Sequence, residues 1–301
     1  MLSANELLRI VAEARNFLRP LIKEELAKYP DFWGPWVTKS PDEIIELHLQ
    51  PEHTIEAATR KGILSGILWS AQNRRGANKV ISGCLMNGWQ DLGTMLHDFD
   101  AEAILRDWET PGQLFAYFRK MHDDGRISGK LLNSKRSLWP IFCQTVLSAA
   151  HLVAQYRTAE DFIEWLESFR QKPETAAALP LVLAQEIDGF GLALACDFLK
   201  ELGCTEFPKP DTHINYLAGQ LGISTAESDY RMMLDIRRAA DDIGMTAYAF
   251  DKIFWLVGSG RFYRVEVGRY ILDIGRQADN FLAYMETVPW RDDPQPALAT
   301  A

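Results

Sequence analysis

The sequence is short of cysteine, of long apolar runs and of alternating apolar–polar patterns, and each shortage excludes a class of protein. Four cysteines, Cys84, Cys143, Cys196 and Cys204, are scattered over 301 residues. They form no ligand cluster, so no structural zinc, no iron–sulfur cluster, no other metal and no cofactor is expected. So few thiols suit a reduced, cytoplasmic chain. Residues 1–20 carry Glu6, Arg9, Glu13, Arg15 and Arg19, which breaks up the apolar core that a signal peptide requires. No run is long enough to cross a bilayer, and no membrane partner is expected. There is no Walker-type phosphate loop, no internal repeat and no low-complexity tract.

What is present is helical periodicity. Apolar residues make up 47% of the chain, enough to bury a substantial core. The runs 63–69, 139–154, 162–169 and 249–257 repeat at helix spacing, which predicts an all-α protein. Its organisation is read as two-lobed. Residues 1–58 form a helical extension punctuated by Pro30, Pro35, Pro41 and Pro51, packed down by Trp33 and Trp36. A helical barrel is expected over 59–209. The second lobe is expected over 210–301, built together with the extension, with a disordered tail from about 292. A monomer is expected.

The most informative stretch is 186–211, EIDGFGLALACDFLKELGCTEFPKPD. Gly189 and Gly191 allow a tight turn whose backbone N–H groups point at the start of a helix, a nest suited to a phosphate. Leu192, Ala195, Cys196, Leu199 and Leu202 then recur at helical spacing until Gly203 stops the helix. A helix-hairpin-helix is thereby predicted over about 181–203. Pro208 and Pro210 lead to Asp211 or Thr212, either of which can cap the next helix. Taken alone, a Gly-x-Gly turn is an ordinary connector and Asp211 an ordinary cap.

Taken together with their flanks, these residues resemble the helix-hairpin-helix DNA glycosylase superfamily, and endonuclease III in particular. Gly189-Phe190-Gly191 is similar to its hairpin, and Asp211-Thr212-His213-Ile214 to the segment holding its catalytic aspartate. Leu68-Trp69-Ser70-Ala71-Gln72, with Asn78 and Lys79, resembles the segment whose glutamine wedges into the duplex. Gly129, Asn133, Ser134 and Lys135 resemble a loop and helix start. Phe254-Trp255-Leu256 and Gly260-Arg261-Phe262-Tyr263 resemble the closing helix. Four landmarks in the same order span roughly two hundred residues, where each alone would be weak.

The resemblance implies a partner, DNA containing a damaged or modified base, and a set of roles. Asp211 would be the catalytic carboxylate, in a cleft between the lobes. Gly189, Phe190, Gly191 and Thr212 would hold the backbone with Arg74, Arg75 and Lys135, and Gln72 with Asn73 would fill the space left by an extruded base. Trp69, Gln185 and Glu186 are candidates for the base pocket. Trp89 or Trp139 is a further candidate to stack on a base, although for each of these tryptophans, Trp69 included, the core reading is the better one.

Two departures refine the expectation. Ala193, eighteen residues before Asp211, stands where bifunctional members carry the lysine that forms a Schiff base, so a monofunctional enzyme is implied. Lys200 is read as a surface residue on the wrong face. Residues 61–72 contain no acid, which disfavours adenine excision through a second carboxylate. The substrate stays open between a bulky phage-type base, such as glucosylated hydroxymethylcytosine in antiphage defence, and an ordinary damaged base. A glycosylase-derived group-transfer enzyme and a non-catalytic reader of modified DNA stay open as well.

Net charge runs against this reading and its distribution runs with it. The formal charge is −9, yet residues 60–79 carry Arg60, Lys61, Arg74, Arg75 and Lys79 with no acid. Residues 119–136 add six basic side chains against Asp123 and Asp124. The landmark segments are therefore locally basic.

Overall fold

Helix signals in the sequence translate directly into structure. The computed structural model describes residues 2–29, 32–53, 55, 58–134, 136–263 and 270–291, with only the backbone of Arg75. Ser3 and Glu6 form a reciprocal capping box that starts α1 (Ala4–Lys28), and Ser40 and Glu43 do the same for α2 (Pro41–Leu49). Then follow α3 (Arg60–Ala71), α4 (Trp89–Met95), α5 (Ala101–Asp107), α6 (Pro111–Asp123) and α7 (Leu138–Ala154). The chain continues through α8 (Ala159–Arg170), α9 (Pro173–Glu186), α10 (Leu192–Glu201), α11 (Thr212–Leu221), α12 (Asp229–Asp242), α13 (Ala247–Ser259) and α14 (Ala278–Met285). The strands among the described residues are the two-residue β1 (Arg261–Phe262) and β2 (Leu272–Asp273), an antiparallel pair with Phe262 opposite Leu272. The protein is all-α.

Two compact units divide the chain, one of residues 1–52 with 205–301, the other of residues 53–204. The first unit is built on α13, of which nearly every side chain is buried. Against it lies the stripe Leu7, Ile10, Val11, Ala14, Leu18 and Ile22 of α1, spaced so that one helix face carries it all. Trp36 is fully buried and its indole N–H donates to the carbonyl of Tyr270 (2.9 Å), joining the early segment to the strand pair. Tyr284 on α14 donates to the Glu13 carboxylate on α1, a bond that pushes the phenol pKa up to about 12.

The second unit is the run α3–α10. Its longest apolar helix, α7, buries ten side chains from Trp139 to Val153. At its end the Cys204 N–H closes on the carbonyl of Leu199 (2.9 Å) while the next carbonyl, Thr205, accepts from Tyr248 of α13 (2.8 Å). That change of partner between adjacent residues puts the boundary at 204/205, a few residues before the one expected at 209. The tail from 292 lies outside the described residues.

Candidate functional site

The hairpin between α9 and α10 is held from two directions within its own unit. From α7, Ser148 Oγ accepts the Asp188 N–H (2.9 Å), and the Thr145 hydroxyl is 2.7 Å from the carbonyl of Asp188 and 3.1 Å from that of Ile141. From the segment after α3, Arg74 Nη1 donates to the carbonyl of Gly189 (3.0 Å). Gly189 sits at φ +71°, and a Cβ there would lie 2.8 Å from Ile141 Cγ2 and 3.1 Å from Thr145 Oγ1. Only glycine fits, because both the backbone angle and the space demand it.

Phe190 is placed otherwise than a DNA contact would be: its ring is buried in the core and its N–H bonds the carbonyl of Ile187 (3.1 Å). It anchors the turn. Gly191 is exposed, caps α10 with extended backbone, and has nothing within 4 Å of where a Cβ would be. Among the described residues, no hydrogen-bond partner faces the N–H groups of Gly191, Leu192 and Ala193. These donors, at the positive end of α10, suit an anion.

In the segment that follows the sequence landmark at 68–72, neighbouring side chains go opposite ways. Gln72 is only 2% exposed, and its Oε1 accepts the Ser82 N–H (3.2 Å), bracing the loop after α3. Its Nε2 is buried without a hydrogen-bond partner among the described residues. Asn73 is exposed at the surface, with Nδ2 donating to Asp197 Oδ2 of α10 (2.7 Å). Trp69, one turn earlier, is 48% exposed and stands edge-on to Trp89 (5.1 Å), which in turn stacks on Phe99 (5.0 Å, 22°). A half-open indole is thus propped from behind by two rings. Trp139 is buried in the core. Gln185 and Glu186 are exposed on the last turn of α9. The Arg75 side chain and Lys135 lie outside the described residues.

Lys200 corrects the sequence reading. Expected on the surface, it is 4% exposed, with its ammonium 4.0 Å from the equally buried Asp197 carboxylate. A carboxylate one helical turn away compensates the buried charge, which is what allows a lysine on the inner face of α10.

In the other unit, Asp211 caps α11. Its Oδ1 accepts from the N–H groups of His213 (2.9 Å) and Ile214 (3.1 Å), and its carbonyl begins the helix through Asn215 (2.8 Å). One carboxylate oxygen is therefore committed to the cap. The other, Oδ2, has no hydrogen-bond partner among the described residues. The residues that follow, Thr212, His213 and Tyr216, line an open cavity of about 500 Å³ with Gly258, Arg276 and Asn280. Gly258 is the floor against which His213 lies, since a Cβ there would be 2.8 Å from His213 Cβ.

No group of three or more His, Cys, Asp or Glu side chains among the described residues could hold a metal ion. Cys143, Cys196 and Cys204 are buried and form no disulfide among the described residues, and burial raises the pKa of Cys143 far above that of an ordinary thiol. Among the described residues, no helix is long and apolar enough to cross a membrane.

No family model matches the chain, and no curated protein matches it. Two solved structures are similar to it in part. The 8-oxoguanine glycosylase/lyase of Methanocaldococcus jannaschii, in complex with a 15mer DNA containing 8-oxoguanine, is matched over 81% of this chain and 100% of its own, at 13% identity and a TM-score of 0.48. The 8-oxoguanine DNA glycosylase of Thermotoga maritima is matched over 82% of this chain and 100% of its own, at 13% identity and a TM-score of 0.47.

Proposed function

We propose that the protein is a monofunctional DNA glycosylase, which hydrolyses the N-glycosidic bond of an extruded base and leaves an abasic site. The observation that carries this reading is the half-engaged carboxylate of Asp211: Oδ1 is pinned by two backbone N–H groups, so Oδ2 is held in a fixed direction with no partner of its own among the described residues.

The chemistry follows from what each group can do. A base inside a duplex is out of reach and must be flipped out, at a cost of a few kcal/mol. The N–H groups of Gly191, Leu192 and Ala193 suit a backbone phosphate on the hairpin, where sequence does not matter. As the glycosidic bond lengthens, the sugar gains oxocarbenium character. The Asp211 carboxylate stabilises that charge and orients the attacking water, as carboxylates do in glycoside hydrolysis. Ala193 offers no amine for a Schiff base, and Lys200 is turned into α10 beside Asp197, which supports simple hydrolysis without strand cleavage.

Asn73 is the better-presented filler of the vacated stack, because it is exposed and fixed by Asp197. Gln72 takes that role only by leaving Ser82. Trp69 offers a base a platform, and base–aromatic stacking is worth about 1–3 kcal/mol. Trp69→Ala is expected to weaken binding of substrate DNA about 5- to 150-fold while leaving the melting temperature nearly unchanged, since half of the ring is already in water. Equal affinity of the variant and wild type would remove Trp69 from the base site.

The deciding experiment incubates the protein with DNA panels bearing normal, oxidised, alkylated and phage-type bases, glucosylated hydroxymethylcytosine among them. Released small molecules are identified by mass spectrometry, and strands are compared with and without alkali. A free base together with breaks that need alkali is the expected result. Breaks without alkali would overturn the monofunctional assignment. Transfer of a substituent with the base retained would replace hydrolysis by group transfer.

A further inference from the structure

Away from the hairpin, the second unit has a groove of about 490 Å³ between α6, the loop that follows it and the first turns of α7, lined by Arg119, Lys120, Asp123, Asn133, Pro140 and Gln144 among others. Several arginines of the chain meet carboxylates, as in Arg15–Glu46, Arg19–Asp42, Arg60–Glu102 and Arg261–Asp273. Among the described residues, Arg119 and Lys120 have no such ion pair, although both are exposed in a chain with nine more acids than bases. Arg119 is instead steadied over the ring of Phe115 (5.3 Å to the centroid). Lys130 and Arg136, on the adjoining loop, are likewise exposed and without a carboxylate partner among the described residues. The loop is anchored, since His122 Nε2 is 3.0 Å from the carbonyl of Gly129.

α7 joins this groove to the hairpin. Pro140 and Gln144 line the groove, while the next residues, Ile141 and Thr145, are those that abut Gly189. Successive helix residues differ by about 100° around the axis, so the two sites lie on adjoining faces of the same two turns. We infer that the groove is a second DNA-backbone site: Arg119 and Lys120 neutralise phosphates of the duplex flanking the hairpin contact, and Asn133 and Gln144 donate amide hydrogen bonds beside them. Asp123 opposes this binding and limits its strength. The inference rests on the reading that the chain binds DNA, and concerns affinity alone; bound phosphate carries no sequence information.

The test measures binding of unmodified duplex DNA by fluorescence anisotropy between 50 and 200 mM salt. Each neutralised phosphate contributes about 0.9 to the slope of log affinity against log salt. The double variant R119A/K120A is expected to lose on the order of ten-fold in affinity at low salt and to flatten the slope by roughly 1.8, equally for all sequences. D123N is expected to tighten binding, and R119K/K120R to keep the wild-type slope. Wild-type slope and affinity in a folded R119A/K120A protein would overturn the groove while leaving the hairpin reading intact. Absence of DNA binding by wild type would overturn both. Because no base need be released, failure of the excision chemistry leaves this test untouched.

Discussion

Asp211→Asn is expected to abolish base release with almost no loss of stability. Asparagine is as good an N-cap as aspartate, so its amide oxygen can keep the bonds to His213 and Ile214 that Oδ1 now makes. Only the charge is lost, with up to about 1 kcal/mol of helix-dipole attraction. The reaction needs that charge. Removing a carboxylate that stabilises a cationic transition state and positions water lowers rates by about 10²–10⁴-fold. Single-turnover excision and thermal melting should therefore separate, the first collapsing and the second holding. Asp211→Ala would add about 1 kcal/mol of lost capping to the same loss of rate. Near-wild-type excision by the asparagine variant would reduce Asp211 to a cap and take the catalytic assignment with it.

The second large effect is expected at the hairpin. Gly189→Ala forces a side chain into left-handed backbone, at about 1–2 kcal/mol, and presses its Cβ against Ile141 and Thr145, at about 1–3 kcal/mol more. A fall in melting temperature of roughly 5–15 °C follows. Binding of any duplex should weaken too, because relieving the clash shifts the N–H groups of the hairpin. Gly191→Ala supplies the contrast. With extended backbone and open space around it, this change should leave stability within about 0.5 kcal/mol, yet its methyl stands where a phosphate would approach. Reduced DNA affinity at unchanged melting temperature would mark a clamp. Full affinity in Gly191→Ala would mark an ordinary connector.

Much of the scaffold was legible because it depends on local signals. Capping residues, the 3.6-residue apolar period and the glycine stop at Gly203 act within a few positions, and α3, α7, α8 and α13 contain the four runs read from the sequence. The hairpin turn and the cap at Asp211 are local in the same sense. What the sequence could not convey was which way side chains turn when distant elements meet. Lys200 looked like a surface lysine, because nothing in the string says that Asp197 would be buried with it. The inward turn of Gln72 depends on Ser82, ten residues on, and the outward hold on Asn73 depends on α10. The support of Gly189 by Thr145, Ser148 and Arg74 was equally hidden, since none of the three is near it in the chain. For Asn73 a partial signal existed: a polar side chain following an apolar helix end, opposite an acid on the hairpin helix.

The division of the chain after residues 52 and 204 has a consequence for biosynthesis. The second unit is continuous and can complete its own contacts as it leaves the ribosome. The first cannot, because its early helices wait for partners encoded after residue 204. At about 5–20 residues per second, the roughly 220 residues between α1 and α13 keep the apolar face of α1 waiting for some 10–45 s. During that interval Leu7, Ile10, Leu18 and Ile22 have no α13 to cover them. The nascent chain is then a ready client for holding chaperones, and pauses in translation within the middle unit would lengthen its exposure.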